Sequence, residues 1–369
     1  MTALRDALLA VPVPGDDAAA ARAHTVVAVA YAERIGAGER TGRARSRRGA
    51  TLAAIAAALT AGAALAAVPG SPLRRWITSA VDPGPAQSLE RLPTAGRLLV
   101  VQDGSAVRVD ANGRRTELGR YSDVTWSPHG LFVAGVAGSR LVAMEPDGHI
   151  HWTTSAGEAA ADPRWGPDGY RVAYRSGTGL RVVAGDGSGD HLVAQRVAPV
   201  APAWRPDTSH VLAYATPRGV RVVDADAARP VGRRVSGLPR RATWIGWAGQ
   251  RLLAASTKRL ASGAGGWTAP DGARIVTASI APDLRTVAVL LRRGRLARVL
   301  LLGTGALRVR RTLATVAAPL RALVWAPNGR WLAGAPTRER RWLLLSLAPH
   351  AGPRLLSDAL VPRDWCCAP

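Results

Sequence analysis

The segments VTWSPHGLFVAG, PRWGPDGYRVAY, PAWRPDTSHVLAY and LVWAPNGRWLAG share a Trp-x-Pro core at Trp126, Trp165, Trp204 and Trp325. The first three tryptophans stand 39 residues apart. Seven residues after each Trp comes an apolar residue: Val133, Val172, Val211 or Leu332. In three units a turn centre falls 21 residues after the Trp, at Asp147, Asp186 and Ala225. A fixed period of this length constrains the fold more than composition does. Each repeat must be one supersecondary unit that buries its apolar face only by packing on its neighbours.

Each unit reads as four short strands. The first ends in Trp-x-Pro, where proline cannot donate to a ladder. The next two alternate about a shared apolar face, and a Pro-Asp-Gly or Gly-Asp-Gly hairpin leads to the fourth. An antiparallel four-stranded unit of about 40 residues, repeated radially, is the blade of a β-propeller. Two units depart from the pattern. TWIGWAGQRLLAAS, around Trp244 and Trp247, has no proline, and SIAPDLRTVAVLL, around Ile280, has no Trp. The short, Gly-rich TKRLASGAGGWTAPDG between them predicts a degenerate blade.

Landmarks at 126, 165, 204, 247, 280, 325 and 365 give seven blades over residues 96–369, or six if the 247 or 280 unit has collapsed. The strands GRLLVV and AVRVD lack a first strand of their own. VPRDWC near the C-terminus is expected to supply it, joining both chain ends in one blade and removing an open edge. The Trp-Ser-Pro-Asp-Gly-like motifs resemble the WD-repeat-like repeats of the periplasmic Tol-Pal propeller and of prolyl-oligopeptidase propellers. That resemblance implies a fold and not an activity.

Ahead of the repeats, residues 49–68 form an uncharged stretch, GATLAAIAAALTAGAALAAV. It is long enough to cross a hydrocarbon layer of ~30 Å as a helix. Arg34, Arg40, Arg43, Arg45, Arg47 and Arg48 precede it, against Arg74 and Arg75 just after it. The positive-inside rule then places the N-terminus in the cytoplasm and everything beyond residue 68 outside. The leader is long for a signal peptide, so the sequence predicts an uncleaved single-pass signal-anchor. Residues 1–48 read as a short helical cytoplasmic stub and residues 69–95 as a Pro-rich linker. Stub, span and exported domain resemble the plan of transmembrane anti-sigma factors. His24, however, has no cysteines beside it for that family's zinc motif. The expected whole is an all-β propeller behind a transmembrane helix in the cell membrane.

The formal net charge of +23, with Lys258 the only lysine, invites a nucleic-acid reading. The topology argues against it, because most of that charge follows the span. Arg292, Arg293, Arg295 and Arg298 crowd the 280 unit, with Arg308, Arg310 and Arg311 close behind. The expected partners are a protein or an anionic envelope ligand, and the membrane through residues 49–68.

Chemistry is sparse. His149 and His151 lie two apart, half a metal site with no further ligand visible in sequence. Asp186 and Asp190 bound a fragment like a calcium loop, without the spacing or terminal Glu of an EF-hand. Asp224 and Asp226 read the same way, and His129 takes a turn position held by Asp or Asn in sister units. Cys366 and Cys367 are adjacent, so a mutual disulfide would close a strained ring. They are expected to be reduced, or one to pair between chains. No G-x-S-x-G, H-E-x-x-H or P-loop motif occurs, nor a G-x-G-x-x-G opening a helix. No catalytic, cofactor-binding or metal residue is assigned and no cofactor is expected. The chain reads as a binding protein, a sensor or scaffold, and not an enzyme. The alternatives are a lactonase- or lyase-like propeller with carboxylates and histidines converging at the channel mouth, or a transmembrane regulator of anti-sigma-like plan.

Overall fold

Seven antiparallel sheets of four strands each follow one another along the chain. The computed structural model describes residues 85–369, apart from residues 209, 318–319, 337–341, 350, 358–359 and 368–369. The expected stub, span and most of the linker lie outside the described residues. Among those described, no helix is long and apolar enough to cross a membrane. Blades 1 to 6 are contiguous, over residues 123–155, 160–194, 203–234, 244–268, 274–316 and 320–356. Blade 7 is composite: Val361–Cys366 pairs with Arg97–Gln102, which leads to Ser105–Asp110 and Arg115–Gly119.

The first strands of the blades touch one another in sequence, and Val361–Cys366 closes the circle by packing against both Leu320–Trp325 and Asp123–Trp126. They therefore surround the axis and the fourth strands face outward. The architecture is a closed seven-bladed β-propeller. The 247 unit is not degenerate: the Gly-rich segment forms two strands, Arg259–Ser262 and Gly265–Thr268, paired over four residues. Its glycines leave the ladder intact because the outermost strand needs few side chains to pack.

The core lies between blades. Val133, Val142 and Trp126 pack with Leu99 and Val101 of blade 7. Leu332, Leu343 and Trp325 pack with Leu290 and Val299 of blade 5. Four of the landmark indoles also bond across these interfaces, whereas the buried Trp165 and Trp365 nitrogens have no partner among the described residues. Trp126 Nε1 donates to the Arg97 carbonyl at 3.1 Å, Trp204 to Arg164 at 2.9 Å, Trp247 to Ala203 at 3.0 Å and Trp325 to Ser279 at 3.0 Å. Each of these four indoles thus fills the gap between sheets and satisfies its own donor there.

The tight turns after Trp126, Trp165 and Trp325 contain glycines at φ 66°, 78° and 64°: Gly130, Gly169 and Gly329. Blade 5 has Leu284 at φ 56° in the same place. Blade 3 has no such glycine, so its turn takes one more residue and Trp204 pairs with Leu212 instead of Val211. The segment expected to be a spacer is seated on the propeller from Gln87 onward. Gln87 bridges to Leu356, and Leu89 and Leu92 are buried in the cluster between blades 6 and 7.

The channel mouth as candidate functional site

In a strand the side chains alternate, so residues one and three before each landmark lie on the innermost strand, on the sheet face opposite its Trp. Blades 7, 1 and 2 bring charge to that position. Asp123 and Thr125 come from blade 1, Asp162 and Arg164 from blade 2, and Arg363 and Asp364 from blade 7. The wall from blades 3, 4 and 5 is uncharged, with Ala201, Ala203, Trp244 and Thr277. A cavity of about 490 Å³ lies against that wall, and Asp162 and Arg164 line it together with those four residues. Trp244 lies along its own strand over Gly246, where a side chain would meet the indole at 2.7 Å.

Two of these charges reach the axis through irregularities of the inner strands. Asp162, at φ 53°, sits in a bulge where the ladder shifts between Ala161 and Arg164. Arg363 is the extra residue where the blade 7 ladder passes from Leu99 to Val100. Bulges re-aim side chains in this way at the rims of barrels and beside sites.

Most of the charges are committed to the scaffold. Asp162 accepts from Arg175 Nε at 2.6 Å. Asp364 Oδ2 accepts from Thr125 Oγ1 and from the Trp126 amide, both at 2.8 Å, which ties blade 7 to blade 1. Arg363 donates to the Ser122 carbonyl at 3.0 Å. Asp123 is less engaged: it takes the Val124 amide at 3.1 Å and stands 3.7 Å from Arg363. Burial pushes its carboxyl above the usual range. Arg164 and Arg363 oppose that shift and Asp162 adds to it.

A raised folded-state value makes the stability from Asp123 fall as pH rises. From about pH 3.9 upward the unfolded carboxyl ionises first while the folded one still holds its proton. The stability difference between the wild-type chain and Asp123→Asn should therefore decline with pH across that window and then level off. Denaturant midpoints measured as a pH series check it, and a difference that is flat or rises contradicts the assignment.

The residues singled out by sequence lie elsewhere. His151 bonds Glu145 at 2.9 Å, so the carboxylate not seen in sequence stands across the hairpin of blade 1. His149 packs edge-on to it, with ring centroids 5.8 Å apart. Asp186 accepts both the amide and the hydroxyl of its own Ser188. Asp190 takes Tyr174 Oη, Arg181 Nε and Thr154 Oγ1 instead, and burial with this carboxylate pushes the Tyr174 hydroxyl far up. Asp224 accepts the Asp226 amide, and Asp226 pairs with Arg171. These loops are Asx turns and blade-to-blade ties. Among the described residues no three His, Cys, Asp or Glu stand close enough to share a metal ion.

The cysteines differ from expectation. Cys366 and Cys367 are joined to each other, with Cα atoms 3.7 Å apart. Cys366 is the last residue of the ladder, paired with Arg97, so Cys367 is free of strand alternation and can turn back to it. The Cys367 sulfur rests 3.5 Å from the Pro128 carbonyl of blade 1.

The comparisons agree with this geometry at the level of fold. No protein-family model matches the sequence, and no curated protein sequence matches it. Among solved structures the chain is similar to the β-propeller domain of Cps50 (Swd1) from Myceliophteria thermophila. That match has 14% identity and TM-score 0.54, and covers 64% of this chain and 86% of that one. Hydrazine synthase of Kuenenia stuttgartiensis matches at 13% and 0.51, covering 62% and 76%. Apo AztD from Citrobacter koseri matches at 11% and 0.50, covering 74% and 97%. These likenesses establish the class, a β-propeller protein.

Proposed function

We propose that this chain is a membrane-anchored, extracytoplasmic β-propeller whose channel face binds a protein or envelope ligand, as a sensor or scaffold. The observation that carries the binding role is the channel cavity, with a Trp244 platform on one wall and Asp162 and Arg164 on the other. A flat apolar group with a polar substituent fits that pairing. The commitment of Asp162 and Asp364 to scaffold bonds favours binding over catalysis. The anchor rests on residues 49–68 and the arginines before them, which put residues 1–48 in the cytoplasm.

A second reading has one observation of its own. Asp123, half-buried beside Arg164 and Arg363 with its carboxyl held above the usual range, is a group of the sort that transfers protons, so a channel enzyme of lactonase or lyase type would use it.

Topology is tested with single cysteines in a Cys366→Ser, Cys367→Ser background. Arg218→Cys lies on an exposed hairpin of blade 3, and Ser46→Cys lies in the stub. A membrane-impermeant maleimide should label the first in intact cells or spheroplasts and the second only after lysis. Labelling of both only after lysis would sink the exported propeller.

A further inference from the structure

We propose that the rim between blades 4 and 5 holds a site for a dianionic oxyanion, a phosphate or the phosphate of a phosphomonoester. It stands apart from the channel and does not depend on the function proposed above. Four cations from three segments meet there. Arg274 begins the first strand of blade 5, and its partner directly across the ladder is Arg292. Like charges opposite one another destabilise a sheet unless something neutralises them. Lys258 arrives from a turn of blade 4 and donates its ammonium to the Ala273 carbonyl at 2.9 Å. The Arg293 guanidinium lies against Gly272, where a side chain would meet its Nε at 3.0 Å. Gly272, at φ 73°, is what leaves that space open.

Lys258, Arg274 and Arg292 line a cavity of about 460 Å³ together with Thr257, Gly272 and Ala273, and the Arg293 guanidinium lies beside it against Gly272. Arg293 Nη1 is buried and has no hydrogen-bond partner. Among the described residues none of the four cations is in an ion pair. Asp271, in the same loop, is exposed and joins none of them. Elsewhere the propeller does pair its arginines, as in Arg171 with Asp226 and Arg181 with Asp190. Burial, and then Arg293 beside it, also holds the Arg298 guanidinium below its ordinary value. A buried donor left unmet and four uncompensated charges both call for an acceptor-rich anion. A dianion gains more than a carboxylate from a field of four cations.

The test is calorimetric titration of the purified full chain with inorganic phosphate, replacing chloride at constant ionic strength. Saturable binding is expected, weakened about tenfold or more in Arg292→Gln and in Lys258→Gln. Arg218→Gln, on an exposed hairpin outside the cavity, should bind as the wild type does. Near-ultraviolet circular dichroism identifies any variant that has failed to fold. No saturation beyond the chloride baseline overturns the site, and so does full affinity in both folded variants. Titration of the same chain with soluble dihexanoyl phosphatidic acid and with glycerol phosphate separates the sources. Tighter binding of the short-chain lipid, weakened in Arg292→Gln, assigns the phosphate to a lipid headgroup. Equal or tighter binding of glycerol phosphate assigns it to a soluble ester, and either result supports the site.

Discussion

Deletion of residues 361–369 is expected to abolish cooperative unfolding of the propeller. The deleted strand is the innermost of blade 7 and the only one there supplied by the C-terminal end of the chain. Without it Arg97–Gln102 loses its axial partner, and blades 6 and 1 each lose a neighbour on the axis. Trp365, 5% exposed, leaves the cluster it shares with Leu98 and Trp342. A ring whose core lies entirely between blades cannot lose one interface and keep the rest at full strength. The single substitution Trp365→Ala should cost about 3–5 kcal/mol, as expected for a buried Trp. Urea unfolding followed by Trp fluorescence and circular dichroism reads both. Coincident, wild-type-like transitions in the deleted chain would contradict the closure.

Asp364→Ala should destabilise by about 2–4 kcal/mol, far more than a half-buried surface acid would suggest. One carboxylate oxygen satisfies two donors of blade 1, the Thr125 hydroxyl and the Trp126 amide, and Thr125 is itself buried. Removing the acceptor leaves both donors unmet in a position closed to water. Thr125→Val removes one of them, so its cost on top of Asp364→Ala should be much smaller than its cost alone. A double-mutant cycle should therefore return a coupling of about 1 kcal/mol or more. Additive effects would mean that the bond is not a tie between the blades.

The blades were legible because they depend on local chemistry. Trp126, Trp165, Trp204 and Trp325 announce inter-sheet gaps, and Asp168, Asp283 and Asn328 announce turns that their own side chains close. The Trp-free unit at Ile280 was legible too, since Ala-Pro-Asp kept its register. The channel was not, because its residues come one or two at a time from strands tens of residues apart. Asp123 and Arg363, separated by most of the chain, meet only when the ring closes. The bulges that place Asp162 and Arg363 leave no signature in composition. A usable signal did exist: aligning the repeats on their landmarks and reading one and three positions back collects Asp123, Asp162, Arg164, Trp244 and Asp364. Histidines and acids in turns drew attention instead, and these proved to be local ties. Likewise Arg274 and Arg292 became a pair only through ladder register, which sequence spacing does not reveal.

Channel and charge set both depend on one claim, that the first and last strands of the propeller share a blade. Hydrogen exchange of the Val361–Cys366 amides tests it most directly. They should be protected to the same free energy as the Arg97–Gln102 amides and open together with them in global unfolding. Exchange of Val361–Cys366 at the rate of an exposed tail, with the other sheets still protected, would contradict it.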